Sequence, residues 1–340
     1  MSTLPQAQQR AAVLKGLGVY LPANVVTNAE LCQRLDTTEE WIRTRTGIHT
    51  RHWVESGTAT GDLAVEAGAR ALKAAGDQPV DAVVLATTTP DHQCPATAPA
   101  VSARLGLGNV PAFDISAVCA GFVYALAAAS SLVVAGLAER VLVIGAETYS
   151  TILNPRDRST SVLFGDGAGA VVLAAGTATD PGALLGFDLG SDGDRSHLIT
   201  IPAGGSRQRA ENPDPDPSEF YFTMRGSEVF THAVTRMRQS SSALLAQIGW
   251  QADAVNTIVG HQANIRILQS LADVLRIPRE RLVINLDRVG NTSAASIPLA
   301  LAHAVSAGGI RPGHRVLISA FGGGLAWGST ALVWPDIPSY

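Results

Sequence analysis

Short runs of apolar residues alternate with alanine-rich stretches along much of the chain. Residues 80–86 and 140–145 are dominated by Val, Leu, Ile and Ala, and each run has the length of a buried strand. Residues 62–75 are predicted as a helix, and residues 111–115 as a strand that leads into a long apolar helix after Cys119. Because short apolar strands separated by helices are typical of sheets buried on both faces, the pattern predicts an α/β fold.

The second half of the chain repeats part of this plan. Residues 139–146 resemble residues 314–320. Each segment is followed by a Phe-Gly-x-Gly motif, which begins at Phe164 in the first half and at Phe321 in the second, and then by a predicted strand. A single pair of this kind would be explained by chance similarity among Val-rich strands.

A second pair of segments occurs in the same order. Residues 80–84 resemble residues 254–259. Two pairs in matching order favour a gene duplication, with two packed copies of one module. We therefore expect an N-terminal half at residues 1–180 and a C-terminal half at residues 181–340.

Composition and charge exclude several classes of protein. Of the 340 residues, 46% are hydrophobic and 16% are charged, which is enough apolar material for a large core and argues against disorder. The net charge of −4 provides no basic surface for nucleic acid. Residues 204–218 are rich in Gly, Arg, Asp and Pro, so we expect a surface loop there. Residues 334–340 are expected to form a short C-terminal tail.

The cysteines and the longest apolar run place the chain in a reducing, aqueous compartment. Cys32, Cys94 and Cys119 show no Cys-x-x-Cys spacing, so neither a metal site nor a disulfide framework is expected. Residues 1–10 are polar and lack the apolar centre of a signal peptide. Residues 118–138 are interrupted by Gly and Ser and predict a buried helix rather than a membrane span. A cytoplasmic protein without membrane contact is expected.

Three polar residues could carry chemistry. Cys119 lies between a strand and a helix, where the helix dipole would favour the thiolate, and small neighbours leave room for an acyl group. His261 and Asn291 lie at strand or turn ends, where both could donate hydrogen bonds to a developing enolate. Taken singly, an inert buried thiol explains Cys119 equally well. A core histidine and a helix cap are better explanations of His261 and Asn291 taken singly. Together the three form a nucleophile with two donors.

Several motifs in order resemble the β-ketoacyl-[acyl-carrier-protein] synthase III family of condensing enzymes, over nearly the whole chain. The resemblance implies a thiolase-like five-layered αβαβα sandwich built from two duplicated halves, and a homodimer. It implies that Cys119 is acylated, that His261 and Asn291 support malonyl decarboxylation, and that the backbone N–H groups of Cys119 and Gly323 form an oxyanion hole. The matching motifs are residues 36–48, 117–122, 164–170, 260–266, 290–298 and 321–324.

The resemblance also implies a tunnel for coenzyme A thioesters, which are substrates, so no cofactor and no metal is expected. Trp41 and Arg158 would sandwich the adenine, which suits their flat faces. Cys94 and Phe321 would line the acyl pocket. The implied partners are an acyl-CoA and a malonyl thioester carried on an acyl carrier protein. The tunnel positions are Thr37, Trp41, Arg45, Arg158, Ser227, Asn264 and Arg266.

Three departures from well-known bacterial members point to a specialised enzyme. Cys94 stands where those members have a Phe that reaches across the dimer, so a deeper pocket is expected. Asp273, Val274 and Thr231 stand where lysines help to dock the acidic carrier protein, which lowers electrostatic steering. Ser227 replaces an Asn in the tunnel.

The function predicted from the sequence is a decarboxylative Claisen condensation that initiates fatty-acid or polyketide chains. In the alternative, Cys119 passes its acyl group to an alcohol or amine without forming a carbon–carbon bond. A further alternative is a non-catalytic partner of another ketosynthase, although such partners typically lack the nucleophile that is present here. The primer, the carrier protein and the pathway are left open.

Overall fold

The computed structural model describes residues 9–337. Within this range the chain alternates between strands and helices, as the apolar pattern predicts. The strands are β1 (Arg10–Tyr20), β2 (Val25–Thr27), β3 (Thr50–His52), β4 (Ala82–Ala86), β5 (Ala112–Ile115), β6 (Arg140–Glu147), β7 (Gly167–Thr177), β8 (Phe187–Ser191), β9 (Ile199–Thr200), β10 (Thr223–Met224), β11 (Thr257–Gly260), β12 (Arg315–Gly322) and β13 (Ala326–Val333).

The helices of the described residues fall where alanine-rich and amphipathic stretches predict them. The helix expected over residues 62–75 is α3, and the apolar helix after Cys119 is α5. The helices are α1 (Asn28–Cys32), α2 (Glu39–Thr46), α3 (Thr60–Ala74), α4 (Ala98–Arg104), α5 (Gly121–Val134), α6 (Ser206–Glu211), α7 (Gly226–Gln247), α8 (Ile265–Leu275), α9 (Leu286–Val289) and α10 (Ser296–Ser306).

Two main sheets follow the same plan. The first has the order β1-β7-β6-β4-β5, and the second has the order β11-β12-β13-β8. In the first sheet β4 is parallel to β6, and β6 is antiparallel to β7. In the second, β11 is parallel to β12, and β12 is antiparallel to β13. The strands whose sequences resemble one another therefore occupy equivalent places, which supports the expected duplication.

Alternate side chains of the strands enter different apolar layers, because successive residues of a strand point to opposite faces. Val84 of β4 packs with α5 and α10 in a core that also contains Ile318 of β12. Its neighbour Val83 packs with α3 and α4 on the outer face. On the far side of the second sheet, Leu317 packs with α7 and α8. The layers are thus helix, sheet, paired central helices, sheet and helix.

Two local expectations differ from the structure. The segment at residues 204–218 is largely exposed, as expected, but it also contains the short helix α6. Trp334, which the sequence suggested to be part of a short tail, is 2% exposed and belongs to the central core. The predictions for residues 1–8 and 338–340 lie outside the described residues. Among residues 9–337, no helix combines the length and apolarity that crossing a bilayer would require.

Candidate active site

Cys119 lies in a tight turn between β5 and α5. The turn spans Val118–Ala120 and begins with a left-handed residue, Val118, at φ +47°. An equivalent turn, Ser293–Ala295, precedes α10 and also begins at φ +47°, at Ser293. The two turns pack against each other at the centre of the molecule. The turn that contains Cys119 in one half therefore contacts the turn that follows Asn291 in the other half.

The thiol of Cys119 is protonated in the resting protein. Burial raises its pKa to about 12, and the carboxyl group of Glu147 adds to this, whereas the hydroxyl of Ser293 lowers it. The expectation that the helix dipole stabilises a thiolate is therefore overridden by desolvation, since burial in an apolar site disfavours the charged form.

His261 follows β11 and is held by contacts at both ends of the residue. Its N–H donates to the carbonyl of Ser319 at 2.8 Å, and its Nδ1 lies 2.6 Å from Oγ of Ser296. Burial lowers the pKa of the imidazole to about 3, so the ring is neutral. Ser296 Oγ accepts a hydrogen bond from the N–H of Gln262 and has its own proton to give to Nδ1. We assign the ring proton to Nε2 on this basis.

Asn291 is fixed by its backbone and by its side-chain oxygen. Its N–H donates to Leu163 at 2.8 Å, and its carbonyl accepts from Gly165 at 3.0 Å. Its Oδ1 accepts a hydrogen bond from the N–H of Ser293 at 2.9 Å. Because this bond occupies the oxygen, the amide NH₂ group is turned away from Ser293 and is left to donate.

The structure brings Cys119, His261 and Asn291 to a single small cavity of about 40 Å³. Phe321, one of the expected acyl-pocket residues, lines the same cavity. A larger cavity of about 470 Å³ adjoins it, and Asn291 lines both. The larger cavity therefore lies next to the one that contains the sulfur.

The end of β12 passes close to Cys119. A Cβ atom on Gly322, the last residue of this strand, would lie 2.7 Å from the backbone nitrogen of Cys119, so only glycine permits this approach. The next residue, Gly323, is the expected second donor of the oxyanion hole. Its place directly after this close approach is compatible with that role, which stays a prediction.

Most of the expected coenzyme A residues line the larger cavity. Five of them, Trp41, Arg45, Ser227, Asn264 and Arg266, form part of its wall. Thr37 and Arg158 are not in this wall.

Arg158 instead stacks on the indole ring of Trp41. Its guanidinium carbon lies 5.5 Å from the ring centroid, and its Nη1 donates to the carbonyl of Asp36 at 2.7 Å. A flat ring between two such groups needs about 7 Å, which is two contacts of about 3.5 Å. The predicted adenine sandwich therefore requires Arg158 to move away from Trp41.

The positions that depart from the expected pattern lie on the surface of the single chain. Cys94 is exposed and does not line the cavity of Cys119. Its predicted role across a dimer stays a prediction. Asp273 accepts a hydrogen bond from Nε of Arg279 at 2.8 Å, and Val274 is exposed. Neither of these two side chains supplies the positive charge that a lysine would offer to an acidic carrier protein.

Sequence reasoning gave no role to three residues that support the site: Glu147, Ser293 and Ser296. Ser293 and Ser296 lie inside a motif that was singled out, but their contacts depend on the fold. The carboxylate of Glu147 is fully buried at the end of β6 and accepts hydrogen bonds from Ser293 Oγ at 3.0 Å and from Thr89 Oγ1 at 2.9 Å. The sequence feature that could have drawn attention to Glu147 is its position as a single acidic residue at the end of an apolar strand, because burying a charge is costly.

No group of three or more His, Cys, Asp or Glu side chains in residues 9–337 is arranged to hold a metal ion. Within these residues, the chemistry described so far is that of a buried thiol, a neutral imidazole and a carboxamide. Such a set suits the formation of a thioester and the stabilisation of an enolate.

Two family models match the chain. "3-Oxoacyl-[acyl-carrier-protein (ACP)] synthase III" matches residues 113–193, and its C-terminal counterpart matches residues 245–334. The chain is 65% identical to β-ketoacyl-[acyl-carrier-protein] synthase III 5 of Streptomyces coelicolor, over 96% of this chain and 98% of that protein. It is 53% identical to β-ketoacyl-[acyl-carrier-protein] synthase III of Pseudomonas aeruginosa, over 96% and 98%.

Solved structures match the fold over almost its whole length. The crystal structure of 3-oxoacyl-(acyl carrier protein) synthase III from Pseudomonas aeruginosa superposes with a TM-score of 0.91 at 52% identity, and covers 96% of this chain and 99% of that one. The priming β-ketosynthase from the R1128 polyketide biosynthetic pathway gives a TM-score of 0.90 at 35% identity, over 99% and 100%. The predicted thiolase-like α/β fold is confirmed.

Proposed function

The chain belongs to the β-ketoacyl-[acyl-carrier-protein] synthase III family, and from this premise we propose how its site works. The protein is a condensing synthase that initiates fatty-acid or polyketide chains by decarboxylative condensation. The proposal concerns the residues and substrates of that reaction. The observation that carries it is the meeting of Cys119, His261 and Asn291 at one buried cavity.

The first step is acyl transfer from an acyl-CoA to Cys119. As the sulfur attacks the thioester carbon, the S–H bond breaks, and the departing coenzyme A sulfur takes up a proton. The backbone N–H groups of Cys119 and Gly323 stabilise the negative oxygen of the tetrahedral intermediate. A thiol with a pKa of about 12 is protonated at neutral pH, so attack and proton loss occur together in this proposal.

The second step is decarboxylation of a malonyl thioester. The C–C bond to the carboxylate breaks, CO₂ leaves, and the electron pair forms an enolate. His261 Nε2 and Asn291 Nδ2 donate hydrogen bonds to the enolate oxygen. A neutral imidazole suits this role, because its pKa of about 3 keeps the ring uncharged across the physiological range. The enolate carbon then attacks the acyl group on Cys119, the C–S bond breaks, and the released thiolate takes up a proton from solvent to restore the thiol.

The orientation of Asn291 favours this reaction over simple acyl transfer to an alcohol or amine. The bond from Ser293 N–H to Oδ1 turns the NH₂ group away as a donor. A transfer without C–C bond formation has no enolate to stabilise and makes no use of that group. Acyl transfer to an alcohol or amine would therefore not use the NH₂ donor that the orientation of Asn291 provides.

Several further features belong to the proposal. The cavity of about 470 Å³ takes the coenzyme A portion of the primer, and arginines at its wall, Arg45 and Arg266, suit phosphate groups. The enzyme works without a cofactor, as a cytoplasmic homodimer, with malonyl thioester on an acyl carrier protein. The two halves, residues 1–180 and 181–340, act as two thiolase-like units, the first supplying Cys119 and the second the two donors.

A two-part assay tests the mechanism. Wild-type protein is incubated with acetyl-CoA, and its intact mass is measured by mass spectrometry. CO₂ release from a malonyl thioester is then measured separately. We expect one acyl adduct, which is absent in Cys119→Ala, and CO₂ release that falls in Asn291→Ala while its adduct persists. Cys32→Ala is a matched control, since Cys32 lies outside the cavity. An adduct that persists in Cys119→Ala contradicts the assignment of the nucleophile.

A further inference from the structure

Glu147 carries a buried carboxyl group that no step of the mechanism uses. It is the last residue of β6, and its side chain is fully buried. Burying a carboxylate is costly unless hydrogen bonds surround it. On one side it accepts from the N–H of Thr88 at 3.0 Å and from Oγ1 of Thr89 at 2.9 Å. Because these two residues follow β4, this side fixes the carboxyl group within the first half of the chain.

On its other side the carboxyl group holds a turn of the second half. Its Oε1 accepts from Oγ of Ser293 at 3.0 Å and from the N–H of Ala294 at 3.4 Å. Both donors belong to the turn Ser293–Ala295 before α10. Ser293 has a left-handed backbone at φ +47°, which is unfavourable for a residue with a side chain. Such a conformation persists only where its surroundings hold it, and the two bonds to Glu147 contribute to this.

The same turn orients both donors of the decarboxylation step. The N–H of Ser293 donates to Oδ1 of Asn291 at 2.9 Å, which leaves the amide NH₂ group to donate. Ser296 follows the turn directly, and its Oγ lies 2.6 Å from Nδ1 of His261. A shift of the turn would therefore displace Asn291 and His261 together.

We propose that Glu147 is a positioning residue for decarboxylation, which anchors the turn Ser293–Ala295 and thereby aims Asn291 and His261 at the enolate oxygen. The inference rests on the proposed function, in which these two side chains bind the enolate. Glu147 is not among the residues that line the cavity of Cys119. It can still act on the rate, because a displacement of about 1 Å at a catalytic group can slow a reaction about 100-fold.

The anchor acts on one of the two half-reactions. Acyl transfer to Cys119 forms no enolate and does not use Asn291 and His261 as enolate donors. Glu147 affects the thiol in the opposite sense, because its charge raises the pKa of Cys119. Loss of this charge should leave acylation unchanged or make it faster, while decarboxylation slows. General damage to the fold would instead slow both half-reactions.

Two substitutions of Glu147 remove the anchor to different extents. Glu147→Met keeps a side chain of similar length but has no oxygen to accept a hydrogen bond. Glu147→Gln keeps one acceptor. Because backbone N–H groups of Thr88 and Ala294 approach the two carboxyl oxygens, the NH₂ group of Gln would face a donor at one of them.

CO₂ release is measured apart from acylation. Each protein is acylated to completion with acetyl-CoA and freed of excess reagent, and the single-turnover release of CO₂ from malonyl-CoA is followed. We expect its maximal rate to fall about 10- to 100-fold in Glu147→Met, and by less in Glu147→Gln. The half-saturating concentration of malonyl-CoA should not change, since the donors act on the developing enolate. The initial rate of acylation, followed by intact mass, should be equal to that of wild type or higher.

Ser293→Ala tests the contact itself. It removes the hydroxyl that donates to Glu147 and keeps the backbone N–H that donates to Asn291. We expect CO₂ release from the acylated protein to slow about tenfold. In the Glu147→Met background the same substitution should have no further effect, because two residues that act through one contact are not additive.

Asp81→Asn is the matched control. The carboxylate of Asp81 accepts from the N–H groups of Glu139 and Arg140 at 2.8 and 2.9 Å. It thus serves the beginning of β6, whereas Glu147 lies at the end of the same strand. Its replacement should lower the thermal midpoint and leave both half-reactions unchanged.

The possible failures are distinguishable. Unchanged CO₂ release in both Glu147 variants overturns the anchor, and so does an equal loss of acylation and CO₂ release. Additive losses in the double variant also overturn it. If Glu147→Met does not fold, Glu147→Gln and Ser293→Ala decide the question. A wild type that forms no adduct on Cys119, or releases no CO₂ from malonyl-CoA, contradicts the proposed function itself rather than the anchor.

Discussion

Replacing Glu147 by Gln tests how a buried carboxyl group beneath the active site affects stability. The group accepts hydrogen bonds from Thr88 N–H at 3.0 Å, Thr89 Oγ1 at 2.9 Å and Ser293 Oγ at 3.0 Å. Burial nevertheless raises its pKa from 4.5 to about 7, because desolvation outweighs these bonds. Gln keeps the size of the side chain and one acceptor oxygen, and it cannot ionise.

The sign of the effect follows from the direction of the shift. Between pH 4.5 and about 7 the folded chain keeps a proton that the unfolded chain has lost. The stabilisation from this proton is fully present below pH 4.5 and is lost as the pH rises through 7. One pKa unit corresponds to about 1.4 kcal/mol, so the full change amounts to about 3 kcal/mol. The Gln variant lacks this dependence.

Urea denaturation of wild type and Glu147→Gln at equal protein concentration, from pH 4.5 to 8, measures the difference directly. Other buried groups with shifted pKa values, such as Asp166 and His261, are present in both proteins and largely cancel in the comparison. We expect the free energy of unfolding of wild type to fall by about 3 kcal/mol relative to the variant across this range. A difference that stays constant with pH would refute the reasoning.

Three further predictions concern the site. Alkylation of Cys119 by iodoacetamide should quicken about tenfold per pH unit from 7 to 9, because the pKa of about 12 lies above this range; a plateau below pH 9 would contradict the buried thiol. Asn291→Ala should slow CO₂ release about 10²–10³-fold, as expected for loss of one donor to a developing oxyanion, with acyl-enzyme formation as the control. Cys94→Phe should shift the primer profile toward acetyl-CoA, since overfilling a pocket costs about 1–3 kcal/mol against a larger group. An unchanged profile in a folded variant would show that Cys94 does not set pocket depth.

The sequence predicted the elements whose pattern is local. The apolar run at residues 80–86 became a fully buried strand, because Val and Ala fit a sheet covered on both faces. The candidate residues Cys119, His261 and Asn291 were recognised because motifs surrounded them in a fixed order. Their roles could be proposed, but their protonation states could not, since a pKa depends on burial that only the folded chain defines.

Features that arise from contacts between distant segments were beyond the sequence. The tautomer of His261 depends on Ser296, which is 35 residues away. The resemblance predicted that Trp41 and Arg158 face each other, but their direct stacking between α2 and a distant loop is seen only in the folded chain. Each case needs coordinates, because the deciding neighbour has no fixed spacing along the chain.

The two facing turns that begin at Val118 and Ser293 bear on the ancestry of the enzyme. If the two halves arose by the duplication that the repeated plan indicates, an ancestor with one such turn per chain would have brought two together by pairing with itself. In that symmetric state any substitution would appear twice, so a sulfur and its assisting groups could not be assigned to different turns. Fusion of the copies would remove this constraint and let the turn at Val118 and the turn at Ser293 diverge.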